Sequence, residues 1–151
     1  MTNFRSDFER LALPNRSNIL AEYTFRNDDR HSITKAESAG ALMSFAIQEG
    51  LTDRPSSIYG DTLRAWCDNN TGPLWACKAA LLLLIKDGWE PRSNTEWAIF
   101  SYLFIRIHES KTLTELIPLA PNSYDVLTLS GWLCAALESK ENYKGRKNVT
   151  T

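Results

Sequence analysis

Apolar residues recur along this chain at the three- and four-residue spacing of helices, and one run is apolar nearly all the way round. From Gly72 to Trp89 it reads Gly-Pro-Leu-Trp-Ala-Cys-Lys-Ala-Ala-Leu-Leu-Leu-Leu-Ile-Lys-Asp-Gly-Trp. Pro73 suits the first helical position, where its missing N–H would be unpaired anyway and its φ is preset. Gly88 suits the left-handed residue just past the end. Only Lys78 and Lys86 interrupt the apolar run, and they fall about 80° apart around a helix. A helix of this kind is buried against several neighbours, so the pattern predicts a buried central helix at about 73–86. A membrane span is excluded by length. About fourteen residues rise about 21 Å, short of a hydrocarbon core of roughly 30 Å, and Lys78 adds to the cost.

The flanking segments give weaker versions of the same pattern. Phe4, Phe8 and Leu11 share a face, with Asn3 or Ser6 as cap and Pro14 as stop. Ile19, Leu20 and Tyr23 share another after Ser17. Arg26–Ser32 is dense in Asn and Asp, whose side chains bond local backbone, and is expected to be a loop. Thr34 and Glu37 form a capping box ahead of Ala36, Met43 and Ile47; Gly50 closes that helix, and Gly40 inside it marks an expected close helix crossing. Pro55 opens an element carrying Ile58, Leu63 and Trp66. Ser93 and Glu96 form a second box before the apolar stretch Trp97–Ile107, which length and cap assign to a helix rather than a strand. Thr112-Leu-Thr-Glu115 suggests a single turn before Pro118. A last helix is expected from Ser123 to about Glu138.

No run of strand length alternates with period two. The expected fold is therefore all-α, a compact single-domain bundle of about six or seven helices around 73–86, with short loops favouring antiparallel neighbours. The domain is expected over 1–141, followed by a flexible, polar, basic tail at 142–151.

Composition narrows the function classes without choosing one. A formal charge of −1 lacks the strongly basic footprint of a nucleic-acid binder. Three cysteines, Cys67, Cys77 and Cys134, form an odd set without metal-type spacing and read as small hydrophobes in a reducing compartment. The first ten residues contain no apolar core of a secretory signal. The expected location is the cytoplasm.

Candidate chemistry is sparse. His31 and His108 each lack a second ligand one helical turn away, as a His-Glu-x-x-His site would need, so no metal is expected. Cys67, near a helix end, is the least unsuited nucleophile; Cys77 lies in the most apolar stretch, where a thiolate is disfavoured. The glycines form no phosphate-cradling loop and the carboxylates no acid–base pair, so no cofactor is expected either.

A helix-turn-helix outline exists around 36–66, but Pro55, Asp53 and Asp61 fit it poorly and only Arg54 and Arg64 are basic there. A nucleic-acid-binding regulator is thus an alternative, with the tail Lys140, Lys144, Arg146 and Lys147 as added contact. A small enzyme with a site drawn from distant residues is a second. No motif places the chain in a known family. The leading expectation is a non-catalytic protein-binding domain that inhibits another protein, of the immunity or anti-defence kind in a bacterium or phage. The apolar helices also permit a homo-oligomer. The candidate contact residues are the aromatics Tyr59, Trp89 and Tyr124 at expected helix edges, and the acidic Asp28, Asp29, Asp87 and Glu90, which suit a basic partner.

Overall fold

The computed structural model describes residues 3–53 and 58–149, with 142–149 described by backbone alone. The described residues form eight α-helices and no strand: α1 Phe4–Leu11, α2 Asn18–His31, α3 Lys35–Gln48, α4 Gly60–Asn69, α5 Leu74–Lys86, α6 Asn94–Ile107, α7 Leu113–Leu116 and α8 Val126–Val149. The fold is all-α, as the periodicity predicts. The helices fall into two compact units, Asn15–Trp89 and Met1–Pro14 with Glu90–Thr151.

In the unit Asn15–Trp89, α5 packs on α2 and α3, and α4 packs on α3 and α2. Ala76, Cys77, Ala79, Ala80, Leu81 and Leu84 of α5 are buried, whereas Leu82, Leu83 and Ile85 are half-buried. The leucine run thus has one fully enclosed side, and Lys86 covers the Phe45 ring at 5.9 Å. Pro73 sits one residue before the first turn, with its carbonyl accepting from the Cys77 N–H at 3.1 Å. At the other end Gly88 takes φ +83° and the Trp89 N–H returns to the Leu84 carbonyl at 2.9 Å, which is how a glycine-closed helix satisfies its last carbonyls.

The expected loop at Arg26–Ser32 is instead the end of α2, which stays helical through His31. Tertiary bonds override the turn preference of its Asn and Asp residues. The Asn27 amide donates to Ser38 Oγ at 3.0 Å, and the Arg26 guanidinium donates to the Asp87 carboxylate at 2.8 Å and to the Asp87 carbonyl at 2.9 Å. The helix stops at Ser32, in the left-handed region with φ 54°. Thr34 and Glu37 form the expected reciprocal cap of α3. Gly40 is not a crossing point, since a Cβ there would meet nothing within 4 Å. The close approach is at Gly60, where a Cβ would lie 3.2 Å from the Ala36 nitrogen on α3. The expected start of this helix at Pro55 lies outside the described residues.

In the other unit, α6 packs on α1 and α8, α1 also packs on α8, and α7 leans on α8. The Phe4 ring meets Trp132 edge-on at 5.4 Å and occupies the space that a Cβ on Gly131 would need. Phe100 stacks on Phe104 at 4.9 Å. Ser93 caps α6, its hydroxyl accepting from the Glu96 N–H at 3.1 Å, but the expected box is only half formed, since the Glu96 carboxylate accepts from the Arg92 N–H at 2.9 Å. The expected single turn after Thr112 is α7, with a reciprocal cap from Thr112 and Glu115. The last helix begins at Val126 rather than Ser123, because the Asp125 carboxylate caps it, accepting from the Thr128 N–H at 3.0 Å. Its backbone stays helical past Glu138, to Val149.

Candidate functional site

Two stripes of α2 face opposite ways. Ile19, Leu20 and Tyr23 are buried, and the Tyr23 hydroxyl donates to the Ser38 carbonyl at 2.9 Å. Ala21, Phe25 and Asp28 follow the i, i+4, i+7 rule on another side and line a hollow of about 410 Å³. Cys67 and Asp68, in the last turn of α4, and Lys35, at the start of α3, line it as well. Phe25 is 64% exposed. The lining therefore includes a largely exposed aromatic ring and two carboxylates, Asp28 and Asp68, against the Lys35 ammonium.

Phe25 was not among the residues singled out by sequence. The available signal was its register: it is out of phase with Ile19, Leu20 and Tyr23 and in phase with Asp28. Reading 26–32 as a loop hid that phase.

The sequence candidates are placed unequally. Asp28 lines the hollow; Asp29 is exposed and outside it. Tyr59 is 77% exposed just before α4. Trp89 and Tyr124, expected at surface edges, are each only 4% exposed. Trp89 covers the end of α5 beyond Gly88, and the Tyr124 ring packs edge-on against Trp97 and Phe100. Large rings bury too much apolar area to stay outside when a helix end offers cover. Glu90 is exposed.

Asp87 is not an open acid. Arg26 bonds it as described, and His31 Nε2 lies 3.0 Å from its second oxygen; these two neighbours hold its carboxyl below the usual carboxylate range.

The nucleophile candidates are disfavoured electrostatically. Burial pushes all three thiols up, Cys77 to about 11, and Cys134 is raised further by the neighbouring Glu138. A thiol so held is not ionised at neutral pH and attacks poorly. Burial lowers the His108 pKa, and its ring packs on Phe104 at 4.7 Å. Among the described residues no group of three His, Cys, Asp or Glu could hold a metal ion, and no helix is long and apolar enough to cross a membrane.

The helix-turn-helix outline does not close geometrically. Residues 49–59 separate α3 from α4, where that motif needs a turn of about three or four residues. Arg64 is exposed on α4, and Arg54 lies outside the described residues. No family model, curated protein or solved structure matches the chain.

Proposed function

We propose that this chain is a protein-binding domain that inhibits its partner by covering a basic surface of it, with the hollow at Phe25 as the contact. One observation supports this reading above the others: a largely exposed phenylalanine stands at a concavity flanked by Asp28 and Asp68. An aromatic ring beside a pocket is the kind of group that carries a large share of binding energy once a partner excludes water from it. The carboxylates select a partner segment that pairs an apolar side chain with Lys or Arg, and they speed its approach. In this reading the protein belongs with inhibitors of the immunity or anti-defence kind, in a bacterium or phage. The raised thiol pKa values weigh against a cysteine-based enzyme.

The test is capture from the native host with three baits: the natural chain, Phe25→Ala, and Asp28→Lys with Asp68→Lys. One basic protein should be retained by the first. Phe25→Ala should weaken it by about 2 kcal/mol, roughly thirtyfold. The charge reversal should slow association and remove its salt dependence. Capture indifferent to both variants would sink the proposal. So would retention on heparin with steep salt dependence, which would favour a nucleic-acid binder.

A further inference from the structure

We draw no further inference here: the strongest candidate, the exposed apolar pair Val126 and Leu127 in the first turn of α8, carries none because nothing in the structure shows what covers it.

Discussion

A missing Cβ has opposite consequences at different glycines of this chain, and the surrounding space decides the sign. Gly40 lies inside α3 with nothing within 4 Å of where a Cβ would stand. Gly40→Ala should therefore stabilise by about 0.5–1 kcal/mol, the backbone entropy that glycine loses in a helix. Gly72 is the reverse case. Its N–H donates to Ser17 Oγ at 2.8 Å and its carbonyl accepts from Arg16 at 2.8 Å, and a Cβ would collide with Leu20 Cδ1. Leu20 is fully buried and has nowhere to go, so Gly72→Ala should cost about 1–3 kcal/mol. Urea midpoints for the two variants should move in opposite directions; movement in the same direction would contradict the packing described. The sequence located the glycines but assigned the crowding to Gly40. Spacing within one helix says which residue lacks a side chain, but not what stands opposite it, and the crowded positions proved to be Gly60, Gly72 and Gly131.

Helix ends repeat this division between what is local and what is not. The caps at Asn3, Thr34, Ser93 and Thr112 were legible because each is closed by residues three or four positions away. The end of α2 was not, because the groups that hold it lie far along the chain, at Ser38 and Asp87. The tie to Asp87 joins the ends of α2 and α5, and its acid dependence has a definite sign. Asp87 has a lower pKa folded than the roughly 3.9 of an unfolded chain. Below that value the unfolded state takes up the proton first, so stability rises with pH there. The contribution is complete above about pH 4 and is lost as pH falls through the folded value. Asp87→Asn should flatten this acid slope. At neutral pH it should cost about 1 kcal/mol, a modest figure because water reaches part of the Asp87 side chain. Urea unfolding from pH 7 down to pH 3 measures both, and an unchanged slope in the variant would show that other carboxylates carry the dependence.

At the scale of the whole chain, the two units differ in how they are closed, and no linker composition at Pro14–Asn15 or Trp89–Glu90 announces the division. The unit Asn15–Trp89 is one continuous stretch. Its helices are cross-tied within that stretch by Tyr23 to Ser38, Arg26 to Asp87, Ser17 to Gly72, and the edge-on pair Trp66 and Trp75 at 5.9 Å. The other unit closes only by bringing Phe4 and Phe8 of α1 onto helices that begin at Asn94, a pairing that no local pattern encodes. Residues 15–89 made alone should therefore be helical and unfold cooperatively, with a margin of only a few kcal/mol, since domains of about 60–80 residues bury a smaller share of their surface than larger ones do. They should also retain the partner surface at Phe25. Residues 90–151 made alone should lack a cooperative transition, because the space that Phe4 fills beside Gly131 and Trp132 would stand empty, and a peptide of residues 1–14 should restore one. Circular dichroism with urea titration of each piece, with and without the peptide, reads all of this. A cooperative transition in 90–151 without the peptide, with none in 15–89, would mean that stability is distributed in the opposite way.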